Sequence, residues 1–210
     1  MKLSNQIVIA TSNRGKFEEF EVLFSKYPEL SLLNAADLVT NIDKLGLVEK
    51  HDIYMDNAIE KARFVSKACH YPVLADDSGL EVDLLGGRPG VRSARFAPPT
   101  PGKTQDQANI DYLLSQLKSD SPTTARFVCN LALLVEGIVI QSAGVLEGEL
   151  SYTPRGNNGF GYDPIFVPKG STKTLAEMSD AEKNSISHRA RAVHELMEQV
   201  RNLSIVLARP

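Results

Sequence analysis

Two adjacent carboxylates, Asp76-Asp77, directly follow the apolar run Val73-Leu74-Ala75, and few features of the chain constrain its fold as strongly. Such a run reads as a buried strand, and Asp76-Asp77-Ser78-Gly79 reads as its abrupt end. Neighbouring carboxylates repel each other and are costly to bury unless a cation or hydrogen bonds compensate. Successive side chains of a strand point to opposite faces, so one of the two is expected to address a site. Mg2+ takes one or two carboxylates together with phosphate oxygens, which suits this pair. A carboxylate pair capping a turn is the structural alternative. Asp77-Ser78-Gly79 also has the Asp-Ser/Thr-Gly form of aspartic proteases. Those need a second carboxylate from a duplicated half or a dimer mate, and the chain contains no second copy.

Around that strand the apolar pattern alternates between two periods. Ile7-Val8-Ile9-Ala10 predicts a strand, and Phe17, Phe20, Leu23, Phe24 and Tyr27 predict a helix up to Pro28. Met55, Ala58, Ile59, Ala62, Val65 and Cys69 form a second helical stripe. Residues 80–85 read as a strand closed by Gly86-Gly87-Arg88-Pro89-Gly90, and Ile110, Leu113, Leu114 and Leu117 mark a helix. Residues 127–135 and 138–146 form a long hairpin around Glu136-Gly137, and Ile165-Phe166-Val167 a short strand. Ser179-Asp180-Ala181-Glu182 is a capping box, followed by the stripe Val193, Leu196, Met197 and Val200. Residues 30–48 fit no single pattern. Strands and helices alternate first and a hairpin comes later, which predicts an α/β protein with a mixed sheet. Residues 1–210 are expected to make one domain, or at most two small lobes.

The composition limits the partners. With 23 basic against 26 acidic residues the formal net charge is −3, which argues against general affinity for nucleic acid or anionic membrane. Apolar residues at 42% and charged residues at 23% are those of a soluble globular chain. No apolar stretch approaches the ~18 residues of a membrane span, and the run at 7–10 is too short for a signal-peptide core. Cys69 and Cys129 form no Cys-x-x-Cys and no Cys/His cluster, so both are expected to be reduced and buried in a cytoplasmic protein.

Three further segments can carry chemistry. Thr11-Ser12-Asn13-Arg14-Gly15-Lys16 lies between a strand and a helix start, where backbone N–H groups and the positive helix end suit a phosphate. A Walker A reading fails, because Ala10 and Phe17 stand where it requires Gly and Ser/Thr. An ordinary solvated turn remains the alternative. Gly156-Asn157-Asn158-Gly159-Phe160-Gly161-Tyr162-Asp163 permits close approach of backbone to ligand, and its aromatics can stack on a base. Lys183, His188, Arg189 and Arg191 concentrate positive charge near a helix N-terminus. That opposes the helix dipole and suggests an anionic or oxygen-rich partner, an exposed basic face being the alternative.

Together these motifs resemble the inosine triphosphate pyrophosphatase family, hydrolases of deaminated purine nucleoside triphosphates. The resemblance runs from Ile7 to about Val200. It is carried by Ala10-Thr11-Ser12-Asn13-Arg14-Gly15-Lys16, Asn57-Ala58 with Lys61-Ala62, Ala75-Asp76-Asp77-Ser78-Gly79-Leu80 and Leu85-Gly86-Gly87-Arg88-Pro89-Gly90-Val91 with Ser93-Ala94-Arg95. It continues in Gly159-Phe160-Gly161-Tyr162-Asp163-Pro164-Ile165-Phe166 and in Glu182-Lys183 with Ile186-Ser187-His188-Arg189. The resemblance implies an α/β fold with a long mixed central sheet flanked by helices, two lobes around an active-site cleft, and a cytoplasmic homodimer. It implies Mg2+-dependent hydrolysis of dITP/ITP and XTP/dXTP to the monophosphate and pyrophosphate, which keeps such bases out of DNA and RNA. Thr11, Ser12, Asn13, Arg14, Gly15, Lys16 and Ser78 would then bind triphosphate, and Asp77 would activate water and ligate metal with Glu49. Phe160, Gly161, Tyr162, Asp163, Lys183, His188 and Arg189 would hold the nucleotide. The purine face would lie on Phe160, and Arg189 with the His188 region would donate to the 6-oxo group.

One segment departs from the family. Thr-Gly-x-Thr/Ser-Phe usually follows the metal-site glutamate, whereas this chain reads Lys50-His51-Asp52-Ile53-Tyr54, which makes Asp52 an alternative ligand. A related pyrophosphatase of pyrimidine or methylated nucleotides, and a catalytically silent nucleotide-binding regulator, are the competing functions. Phe160 and His188-Arg189 favour purine, and Asp77 favours an enzyme.

Overall fold

The computed structural model describes residues 5–40, 42–117 and 123–207, without the side chains of residues 43, 47 and 204–207. The strands are β1 (Gln6–Ala10), β2 (Ser31–Asn34), β3 (Val73–Val82), β4 (Thr124–Val135), β5 (Ile138–Leu150) and β6 (Phe166–Pro168). They form one sheet in the order β2-β1-β3-β4-β5-β6. β1 pairs parallel with both β2 and β3, while β5 and β6 are antiparallel, so the sheet is mixed as expected. The helices are α1 (Arg14–Phe24), α2 (Ala35–Leu38), α3 (Tyr54–Ser66), α4 (Gln105–Ser115), α5 (Asp180–Ile186) and α6 (His188–Leu207). Residues 30–48, ambiguous in sequence, hold β2, α2 and a 3-10 segment, Ile42–Val48, each too short to show a period.

The chain divides into two compact units. One comprises the described parts of Met1–Asp77, Cys129–Gly144 and Arg189–Pro210, the other Ser78–Val128 and Val145–His188. In the first, period-2 alternation sorts the strand residues into two cores. Ile7, Ile9 and Leu74 pack with Phe20, Leu23 and Phe24 of α1 and Val193, Leu196 and Val200 of α6. Val8, Ala10, Val73 and Ala75 pack instead with Ala35 of α2 and Ala62 and Val65 of α3. Burial on both faces is the usual condition of parallel strands. In the second unit Leu80, Val82, Ile110, Leu113, Phe127, Leu146, Ile165 and Phe166 share one core.

Two expectations change. β3 does not stop at Asp76; it runs through both carboxylates to Val82, and residues 83–85 form a 3-10 turn instead of prolonging a strand. The strand tolerates the charges because cations from other elements meet them. The hairpin of β4 and β5 turns at Glu136 and Gly137, whose φ values of 48° and 83° are the left-handed pair a tight two-residue turn requires.

Candidate active site

The alternation that sorts Leu74 from Val73 and Ala75 also sorts the two carboxylates. Asp76 shares the parity of Leu74 and meets side chains of α1 and α6. Asp77 shares the parity of Val73 and Ala75 and meets α3. Both are buried, at 4% and 5% exposure.

Asp76 is held from several elements. Arg189 Nε donates to its Oδ2 at 3.0 Å, and the Cys129 thiol of β4 donates to the same oxygen at 3.3 Å. Oδ1 accepts from Lys16 Nζ. Burial pushes the carboxyl up, yet Lys16, Arg189 and Lys61 more than offset this and hold it well below the usual carboxylate range. Glu19 of α1 also accepts from Arg189 Nη1, and Phe20 lies under the guanidinium, 5.7 Å from its centre.

Asp77 has a different environment. Asn57 Nδ2 donates to Oδ2 at 3.0 Å, and Lys61 Nζ stands 3.2 Å from Oδ1. The same Nζ donates to Glu49 Oε1 at 2.8 Å, so Glu49 and Asp77 converge on one buried ammonium. Burial raises the Asp77 pKa, helped by Glu49, against the lowering effect of Lys61, Lys16 and Asn57. Burial depresses Lys61, but Asp77, Glu49 and Asp76 reverse this and keep it charged. Asp52 is exposed, and it is Glu49 that shares Lys61 with Asp77.

The loop after β1 is shaped by its own side chains. Thr11 Oγ1 accepts from the Asn13 N–H at 3.0 Å, and Asn13 Oδ1 caps α1 by accepting from the Lys16 N–H at 3.0 Å. Ser12, Asn13 and Arg14 are exposed, and the first turn of α1 carries no acidic residue. Arg14 meets Glu18 on the surface, a pair of little consequence for stability. Ser78 follows Asp77 in β3 and is half-buried.

In the second unit, Lys183 Nζ of α5 bonds Asp163 Oδ2 at 2.6 Å and lies 4.8 Å from the centre of the Phe160 ring. Asp163 also accepts from the Phe160 N–H at 2.9 Å. The loop closes so tightly that a Cβ on Gly159 would stand 2.0 Å from that carboxylate, and Gly159 has φ +74°. Asp106 accepts from the Gly161 N–H at 2.8 Å. His188 stacks on Phe127 with ring centres 4.9 Å apart and planes 11° apart.

Phe160, Gly161, Asp163 and Lys183 thus form one cluster, and Lys16, Glu49 and Asp77 line the first unit's charged group. Three further residues expected at the site are buried among protein partners. Tyr162 is buried with its hydroxyl on the Ser93 carbonyl at 3.0 Å, which makes it a core residue of the loop. Asp163 is likewise buried, and its Oδ2 accepts from both Lys183 and the Phe160 N–H, which shapes the loop. Arg189, at 2% exposure, donates through Nε and Nη1 to Asp76 and Glu19. Sequence reading gave no site role to Asn57, Lys61 or Glu19. A polar pair one turn apart, Asn57 and Lys61, inside the otherwise apolar stripe of α3 was the available signal.

The fold and site define a mixed α/β protein whose central strand carries two buried carboxylates, each answered by lysine. The chain belongs to the Ham1 family, whose model matches residues 7–199. It is 44% identical over 200 residues to the dITP/XTP pyrophosphatase of Bacillus subtilis (strain 168), covering 93% of this chain and 97% of that one. It is also 44% identical over 193 residues to the dITP/XTP pyrophosphatase of Christiangramia forsetii, covering 92% and 97%. The solved Ham1 protein of Staphylococcus aureus superposes with a TM-score of 0.79 at 37% identity, over 94% of this chain and 98% of that one. A HAM1 protein from Coxiella burnetii gives 0.78 at 35%, over 96% and 100%. The resemblance read from the motifs is thereby borne out.

Proposed function

We propose that this chain hydrolyses deaminated purine nucleoside triphosphates, dITP/ITP and XTP/dXTP, to the monophosphate and pyrophosphate, keeping such bases out of DNA and RNA. Family membership supports the reading, as do the relatives named for that activity. The observation that carries it is the convergence of Glu49 and Asp77 on one buried cation. Phosphoanhydride hydrolysis needs neutralised phosphates and an oriented water, with little covalent assistance.

In this reading Thr11, Ser12, Asn13, Arg14, Gly15, Lys16 and Ser78 take the triphosphate, with Lys16 and the N–H groups opening α1 neutralising its oxygens. Asp77, whose burial raises its proton affinity, removes a proton from water as the water attacks the α-phosphorus. The bond from that phosphorus to the bridging oxygen breaks, and pyrophosphate leaves. Phe160, Gly161, Lys183 and His188 hold the base end, with the purine face on Phe160. The donor set fits Mg2+, since two carboxylates, Glu49 and Asp77, converge on one point now held by the Lys61 ammonium, and Mg2+ asks little more of a protein beside substrate phosphate. Glu49 and Asp77 would hold the ion, which when bound offsets charge on the reacting phosphate. A cytoplasmic homodimer belongs to the same proposal and rests on the family resemblance alone. Among the described residues no helix is long and apolar enough to cross a membrane.

A panel of nucleoside triphosphates with Mg2+, assayed separately for orthophosphate and pyrophosphate, tests the reading. ITP and XTP are expected to give monophosphate and pyrophosphate; diphosphate plus orthophosphate overturns it. Glu49→Gln is expected to raise the Mg2+ needed for half-maximal activity, because an amide oxygen is the weaker ligand for a hard cation. An unchanged titration in Glu49→Gln, with a shifted one in Asp52→Asn, would move the ligand three residues along the loop.

A further inference from the structure

The loop carrying Glu49 lacks the family's glycine, yet Glu49 still meets Lys61 and Asp77. Besides Lys61, one side chain ties this loop to Asp77. Asn57 is fully buried in the first turn of α3. Its Oδ1 accepts from the His51 N–H at 2.9 Å, and its Nδ2 donates to the His51 carbonyl at 3.0 Å. The same Nδ2 donates to Asp77 Oδ2 at 3.0 Å. A carboxamide has one acceptor oxygen and two N–H donors, and these contacts use all of them. Only the main chain of His51 takes part, and its side chain is exposed. The clamp is therefore indifferent to which residues fill positions 50–54, provided the backbone of residue 51 comes within reach.

We infer that Asn57 is a positioning residue that sets the spacing of Glu49 and Asp77, by tying the backbone two residues beyond one carboxylate to the other carboxylate. Lys61, one turn further along α3, supplies the charge that draws the two together, and Asn57 supplies the geometry. The inference rests on the proposed roles of Glu49 and Asp77 as metal ligands and deepens them. Residues that orient metal ligands from outside typically change metal affinity 10–100-fold when removed.

Asn57→Ala is expected to raise the half-saturating Mg2+ concentration by about tenfold or more, with much of kcat recovered at saturating Mg2+. Asn57→Ser, polar but too short to span His51 and Asp77, is expected to behave alike and stands in if the alanine variant does not fold. His51→Ala, which keeps the backbone contacts, is expected to leave both quantities unchanged. Hydrogen exchange at the His51 amide, followed without nucleotide or metal, is expected to speed up in both Asn57 variants. Unchanged exchange at His51 overturns the inference. So does a loss of kcat that no amount of Mg2+ restores while the half-saturation point stays put. A wild-type protein inactive on every triphosphate is the failure of the functional reading instead, and the exchange measurement still decides whether the clamp exists.

Discussion

Asp77→Asn is expected to fold as the wild type does and to lose at least about 10²-fold in kcat, the low end for removing a general base. The amide is isosteric and can still accept one of the two hydrogen bonds that reach this side chain from Asn57 and Lys61. Lys61 keeps Glu49 as counter-charge, so no buried ammonium is left alone. Thermal unfolding and steady-state turnover of the same preparation separate the two effects. Near-normal turnover would remove Asp77 from the chemistry. Asp76→Asn is the informative contrast, because its carboxylate answers Lys16 and Arg189 and faces away from α3. It is expected to lose stability first, and to lose activity through a displaced Lys16. If Asp76→Asn instead kept its stability and proved the more damaging to turnover, the roles of the pair would be reversed.

Why the pair was only half legible in the sequence follows from where its partners lie. Alternation along a strand is local, and it correctly separated Asp76 from Asp77 onto opposite faces. Whether a strand survives two charges depends on cations brought from afar. Arg189 is 113 positions from Asp76, and Lys16 is 60. No period or propensity reports such pairings, so β3 was read as ending where it continues. Features with local causes were readable. The turn at Glu136-Gly137, the box from Ser179 to Glu182 and the stripe of α1 each owe their form to neighbours within a few residues. Asn57 lies between these cases. Its place on an apolar stripe was visible, but the backbone it grips belongs to a loop with no pattern of its own.

Arg189 gives the second large effect, on stability. Its guanidinium and the Asp76 carboxylate are each 2% exposed, so each is the other's substitute for water. Removing one partner of such a buried pair typically costs about 3–5 kcal/mol, and Lys16, which still answers Asp76, keeps the loss toward the lower end. Arg189→Ala is expected to lose stability in that range by urea unfolding, with Glu19 and the Cys129 thiol also losing their alignment. Arg189→Lys keeps the charge, but a single ammonium does not reproduce the planar fork that reaches Asp76 and Glu19 together, so an intermediate loss is expected. The pH dependence has a definite sign. Asp76 is held well below its ordinary value of 3.8 in the folded state, so its contribution is fully present above that value. It is lost as pH falls through the depressed folded value, and Arg189→Ala should flatten this acid limb. In catalysis the variant is expected to slow ITP and ATP by the same factor, because the lost group holds Asp76 and Glu19 in place. A selective loss on ITP, at wild-type stability, would show that Arg189 leaves Asp76 to read the purine, and that the buried pair is a resting arrangement of the side chain.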